Sequence, residues 1–424
     1  KKIIPGGNHL LSKRPELYLP DGWPTYYSKA KGAYVWDLNN NKYLDMLFAV
    51  GTNVLGYANT KIDSKIYYAL KKSNMSSLNS FEEVYLAKEL LKIHPWAEMV
   101  RFARTGGEAN SIAIRIARAY SNKDKVAVCG YHGWHDWYLS ANLNKNKDNL
   151  KKHILPGLKP VGVPKKLKNT VFTFQYGDID SLRKILAKNN IGVIKMEVAR
   201  SSKPDIDFLK KVKKICISKK IILIFDECTS GFRESYGGLH KTIKINPDMA
   251  MFSKAIGNGY AISAIIGKKN IMQAAQNTFI SSTNWTEKLG FVAGIETIKL
   301  MKKTQSWKKI SKIGKIIIKN WKKISKKNNV PIDINHSNSI PSFNFLGKNK
   351  KKYKTFLTQY MLSKNILASN IIYVSVVHNK SILKKYFKNL DNCFSQIKEF
   401  EKNPSLIKKK LKFKVCDEGF KRLN

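Results

Sequence analysis

Arginine, acidic residues and long apolar runs are what this chain has little of. Nine of its 77 basic residues are arginine, leaving 68 lysines, and with only 30 acids the formal net charge is +47. Readers of nucleic acid usually mix arginine with lysine, because the guanidinium fork grips phosphates and bases. This chain is instead crowded with Lys, Asn and Ile, whose codons are A/T-rich. Biased genome composition accounts for that, the charge bears on solubility rather than fold, and a non-catalytic polyanion-binding protein is the alternative from a different class. No nucleic-acid partner is expected. No apolar run approaches the about 20 residues of a membrane span, and KKIIPGGNHL at the start has no apolar leader core, so no membrane partner is expected. The five cysteines are scattered and form no CxxC pair, which argues against a disulfide framework or zinc site and for a reducing cytoplasm.

What is present is enough apolar residue for a sizeable core, 43% over 424 residues. Between about residues 60 and 300, short β-rich runs alternate with helical patterns. The runs are KVAVCG (125–130), IGVIKMEV (191–198), IILIFDE (221–227) and AISAIIG (261–267), and EANSIAIRIARAY (108–120) and FLKKVKKICISKK (208–220) lie among them. That alternation predicts an α/β fold with a mostly parallel central sheet covered by helices. AYVWDLNNNKYLDM (33–46) reads as a hairpin with an Asn-rich turn, and IIYVSVV (371–377) as strand-like. In the lysine-dense stretch 301–330, Trp307, Ile310, Ile313, Ile317, Trp321 and Ile324 recur every three or four residues, a helix with one buried face. The expected organisation is an N-terminal segment 1–55 and a C-terminal segment 301–424 forming a smaller α+β domain, with a large domain over 56–300.

In a parallel sheet, ligands collect beyond the carboxyl ends of the strands. Four places there carry chemistry. ARTGGEAN (103–110) sets a Gly pair before a helix, where free N–H groups hold phosphate or simply enter the helix. CGYHGWHDWY (129–138) gathers Tyr131, His132, Trp134 and His135 in one loop, able to stack on a flat heterocycle or to serve packing; its histidines and Asp136 match no standard zinc spacing. IILIFDECTSGFR (221–233) delivers Asp226 to a strand end, and its neighbour Glu227 points the other way, so the two cannot flank one bond. MFSKAIGNGYAIS (251–263) places Lys254 among apolar residues before a Gly-rich turn, either snorkelling to solvent or held reactive. Together a desolvated lysine able to form a Schiff base, a strand-end aspartate for a pyridinium nitrogen, an aromatic stack and a phosphate-binding helix start are the parts of a pyridoxal phosphate site.

FDECTSGFRESYGG (225–238) followed by PDMAMFSKAIGNGY (247–260) resembles the class III, fold type I pyridoxal-phosphate aminotransferases, of the branch that includes glutamate-1-semialdehyde aminomutase. The likeness runs from IPGG (4–7) and KAKGAYVWDLNNNKYLDM (29–46) to ILASN (366–370) and SVVH (375–378). It implies a fold type I transferase with pyridoxal 5'-phosphate as cofactor and no metal, in which Lys254 is the internal aldimine lysine and proton shuttle and Asp226 pairs with the pyridine nitrogen. Tyr131 and His132 match the ring-contacting loop, Arg233 a site-organising arginine, and Thr105, Gly106 and Gly107 the phosphate turn. Thr283 matches a threonine that reaches the phosphate from the neighbouring subunit, which implies a homodimer with shared sites. The implied reaction is ping-pong transfer between a small-molecule amino donor and a carbonyl acceptor, with intramolecular aminomutation as the alternative. The chain departs from the family's Ser-Gly-Thr phosphate turn, and Val50 stands where an aromatic is usual. Arg14, Trp134, Glu197 and Arg200 are the candidates for substrate contact, alongside Trp137 and Trp285.

Overall fold

A computed structural model of the chain describes residues 2–144, 149–150, 158–199 and 203–417. The described chain forms two compact units, one from residues 60–304 and one from residues 2–59 with 305–417.

The first unit is built on seven strands: β1 (Met99–Ala103), β2 (Lys125–Cys129), β3 (Val171–Thr173), β4 (Ile191–Glu197), β5 (Ile222–Asp226), β6 (Met249–Phe252) and β7 (Ser263–Gly267). Their order across the sheet is β1-β7-β6-β5-β4-β2-β3. Neighbours from β6 to β3 run parallel, whereas β7 runs antiparallel to both β1 and β6. Every residue of β4, β5, β6 and β7 is buried, as expected of strands covered on both faces. The helix Gly106–Ser121 lays Ala109, Ile112, Ala113, Ile116 and Ala117 on the sheet at three- and four-residue spacing. It ends at Asn122, which takes the left-handed conformation, φ 51°.

The second unit holds the expected hairpin. Tyr34–Asp37 pairs antiparallel with Lys42–Asp45, and the Asp37 carboxylate accepts the N–H groups of Asn39 and Asn41 to close the turn. The lysine-dense stretch 301–330 is not one helix: 301–304 end the helix Lys288–Thr304, Gln305 is left-handed at φ 49°, and the helix Ser306–Asn328 follows, burying Ile310, Ile317, Trp321 and Ile324 with Trp307 and Ile313 half-buried. Trp321 Nε1 donates to Tyr386 Oη at 3.0 Å on the facing helix Lys380–Lys402.

A second expectation is corrected here. IIYVSVV forms no strand: it makes a single bridge between Ile371 and Ser342, and it ends in a turn at Val376 and Val377. Its N–H groups go to scattered acceptors, Ile372 to Pro341, Tyr373 to Met46, Val374 to Ser339 and Val376 to Val54. The β-branched pattern predicts an extended chain, but a strand also needs one continuous partner. No helix among the described residues is long and apolar enough to cross a membrane.

Candidate active site

The carboxyl ends of the strands meet around Asp226, the last residue of β5. Its carboxylate is buried; Oδ2 lies 2.9 Å from His132 Nδ1 and 3.9 Å from Lys195 Nζ, and Oδ1 accepts the Cys228 N–H at 3.1 Å. Burial pushes this carboxyl up, but Lys195 and the His132 hydrogen bond outweigh it and hold Asp226 well below the usual carboxylate range. Burial lowers His132, so the ring is neutral at pH 7, with Nδ1–H donating to the aspartate. Its Nε2 is buried without a partner among the described residues. Glu227 points away as expected, accepting from Ser230, from the Leu239 N–H, and from His240 at 2.7 Å.

Lys254 follows β6 with φ at 48°, a left-handed conformation that a side-chain-bearing residue keeps only when its surroundings hold it. Its Nζ donates to Thr229 Oγ1 at 2.8 Å, in the turn that follows Asp226. Beside it begins the helix after β1. A Cβ placed on Gly106 would stand 3.4 Å from Cys228 Sγ and 3.6 Å from Ser253 Cβ, so the helix start lies against the ends of β5 and β6.

That start is a capping box. Thr105 Oγ1 accepts the Glu108 N–H, and Glu108 Oε2 accepts the N–H of Thr105 at 2.7 Å. The Thr-x-x-Glu spacing of Thr105 and Glu108 is the sequence signal for it. The N–H groups of Gly106 and Gly107 donate to no acceptor among the described residues, which leaves two amides at the positive end of a 16-residue helix.

The aromatic loop after β2 is clamped at two glycines. At Gly130, φ 114°, a Cβ would stand 2.6 Å from Glu197 Oε2; at Gly133, φ 97°, one would stand 3.1 Å from the Gly107 Cα. Glu197 Oε2 accepts the Tyr131 N–H at 3.0 Å, tying the loop to β4. The loop therefore brings His132 to Asp226 and lays Gly133, Trp134 and His135 against the helix start at Gly107.

The other expected residues lie as follows. Trp134 is 69% exposed and stacks on His135; Trp137 is buried and donates to Ser111; Trp285 donates to Glu108 Oε1, bracing the capping box. Thr283 is exposed at the start of a short turn. Arg233 is buried, with Nε donating to the Thr229 carbonyl at 2.6 Å. Arg14 belongs to the other unit, where its guanidinium lies against Gly6. Arg200 lies outside the described residues. Two residues here are absent from the sequence reading: Thr229, and Lys195, which with Glu197 two places on interrupts the otherwise apolar run IGVIKMEV. Among the described residues no group of three or more His, Cys, Asp or Glu is placed to hold a metal.

This set fits pyridoxal phosphate. The two unengaged amides suit its phosphate, the buried carboxylate suits a protonated ring nitrogen, and Lys254 brings an amine to the same strand ends.

Comparison with known proteins agrees. The family model described as aminotransferase class-III matches residues 20–381. The chain is 32% identical over 370 residues, 85% of each chain, to the 3-aminobutyryl-CoA aminotransferase of Cloacimonas acidaminovorans (strain Evry). It is 30% identical over 428 residues to the glutamate-1-semialdehyde 2,1-aminomutase of Wigglesworthia glossinidia brevipalpis, covering 94% of this chain and 96% of that one. In fold it matches the FumI protein of Sphingopyxis sp. MTA144 with a TM-score of 0.85 at 21% identity, covering 95% of each.

Proposed function

The chain belongs to the class III aminotransferases, pyridoxal-phosphate-dependent enzymes that move an amino group between an amino donor and a carbonyl acceptor, and from that premise we propose how its residues divide the work. One observation carries the reading: the ends of β1, β2, β5 and β6 bring together unengaged helix amides, an aromatic loop, a buried aspartate and a lysine. Bound pyridoxal phosphate supplies an electron sink for the charge left when a C–H bond beside an amine breaks. Lys254 would hold the cofactor covalently through Nζ, and as a free amine the same Nζ would take up the proton lost from the donor's α-carbon and return it to the bound molecule. Asp226 keeps a proton on the ring nitrogen, an electrostatic role that a neutral asparagine cannot fill. His132 orients Asp226, Tyr131 and His132 line the ring, and the amides of Gly106 and Gly107, next to Thr105, take the phosphate. Glu197 fixes the loop that carries Tyr131, and exposed Trp134 faces the incoming substrate.

Thr283 of the partner subunit reaches the same phosphate in a homodimer with shared sites; the exposure of Thr283 in its own chain supports this. The five cysteines are free and buried, which suits a reducing cytoplasm.

The test is a screen of amino donors against the visible absorption band of the holoenzyme. A donor should bleach the band and a carbonyl acceptor restore it; a band that no donor alters would sink the reading. The near full-length similarity to a glutamate-1-semialdehyde 2,1-aminomutase favours one second reading, intramolecular transfer on that substrate. Formation of 5-aminolevulinate without a second substrate would select it.

A further inference from the structure

Lys195 is a charged group beside Asp226 that the proposed chemistry does not use. It sits in the middle of β4 with zero exposure. Its Nζ stands 3.9 Å from Asp226 Oδ2 and donates to Met251 Sδ at 2.9 Å on β6. Lysine is almost never fully buried without a partner, and among the described residues the only ion pair of Lys195 is with Asp226. The placement follows from the sheet. Lys195 and Glu197 share one face of β4, and Glu197 is the register partner of Asp226 on β5.

The titratable groups around it are Asp226 and Cys228 from β5 and the turn after it, Glu197 from its own strand, and His132 from the loop after β2. Burial outweighs the pull of Asp226 and holds Lys195 below the ordinary lysine range; the carboxylate 3.9 Å away is what favours its charged form. In the same pocket Lys195 disfavours a charge on His132.

We propose that Lys195 is a positioning residue that acts through Asp226, a resident counter-ion that shares the carboxylate with the cofactor's ring nitrogen and weakens the hold on the ring proton. Without Lys195 a bound ring would be the only full cation on that carboxylate. With it, the carboxylate serves two cations, which repel each other across it. A like charge so placed shifts a titration by about one pH unit or more, a tenfold change in protonation. The inference rests on Asp226 being the partner of the ring nitrogen.

The experiment is a pH titration of the ring-nitrogen NMR resonance of 15N-labelled pyridoxal phosphate bound to the holoenzyme. In wild type the ring nitrogen is expected to titrate within the range where the protein is folded. In Lys195→Met its midpoint should rise by about one pH unit or more. Lys195→Gln, which also removes the charge but keeps a polar end, is the second variant if the first does not fold, and the same rise is expected. An unchanged midpoint in a folded variant overturns the proposal, as does a wild-type nitrogen that stays fully protonated up to the alkaline limit of folding. Asp226→Asn separates the two readings. If it leaves the labelled nitrogen unaltered, the assignment of Asp226 has failed; if it alters the nitrogen and the Lys195 variants do not, only the role of Lys195 has failed.

Discussion

Lysine has opposite meanings in two regions of this molecule. On the helix Ser306–Asn328 every lysine is exposed, and Lys327 meets a half-buried Asp391 from the solvent side. Around β4, β5 and β6, Lys195 is fully buried against Asp226 and Lys254 is half-buried in a left-handed turn beside Thr229. The residue is the same, but its surroundings set its energetics. In water an ammonium keeps its hydration and a neighbouring carboxylate adds little. In the interior, desolvation makes every contact matter and a lost partner costly.

Breaking the contrast at its strongest point means removing Lys254. Lys254→Ala should lower transamination by at least the about 10²–10⁴-fold that a positioned proton carrier contributes, and should abolish the visible absorption band on reconstitution; steady-state kinetics and absorbance check both. Next comes Asp226→Ala, which strands Lys195 without its anion. Loss of one partner from such a buried pair costs about 3–5 kcal/mol, measurable by denaturant unfolding of the apoprotein, together with near loss of turnover.

The buried histidines sharpen the contrast through pH. Burial lowers His94 from its ordinary 6.5 to about 3. Between those values the unfolded chain binds a proton that the folded chain does not, so stability falls as pH drops through that window. At pH 5 the loss from His94 is about 2 kcal/mol, with burial of His132 and His378 acting in the same direction. Asp226 and Glu227, held low, add to the loss below the ordinary carboxylate range. Thermal midpoints measured from pH 7 to 5 should fall, and His94→Gln should flatten the slope. The smallest effect belongs to the exposed side: Lys319→Gln on the basic helix should change unfolding stability by less than about 0.5 kcal/mol.

Much of the site was legible because it lies at strand ends, where composition changes abruptly. Asp226 and Lys254 each close an apolar run, and the Gly pair at 106–107 precedes a patterned helix. The direction of β7 was not legible. AISAIIG is as apolar as the parallel strands beside it, since burial on both faces leaves the same mark whichever way a strand runs. Nor was the failure of IIYVSVV to form a ladder, because pairing depends on distant chain. The ion pair of Lys195 escaped for a related reason: the run IGVIKMEV contains the lysine, but only the register of Glu197 against Asp226 says which carboxylate it faces.

The amino-acid sequence by itself determined the alternation of buried strands and amphipathic helices, the chemical types at the strand ends and the family. Those depend on hydrophobic period and local residue type, which are properties of neighbouring positions. Tertiary structure decided that His132 and Lys195 both meet the Asp226 carboxylate and that Glu197 ties down the aromatic loop. Each of those is a contact between strands or loops distant in the chain, fixed only when the sheet sets their order and register.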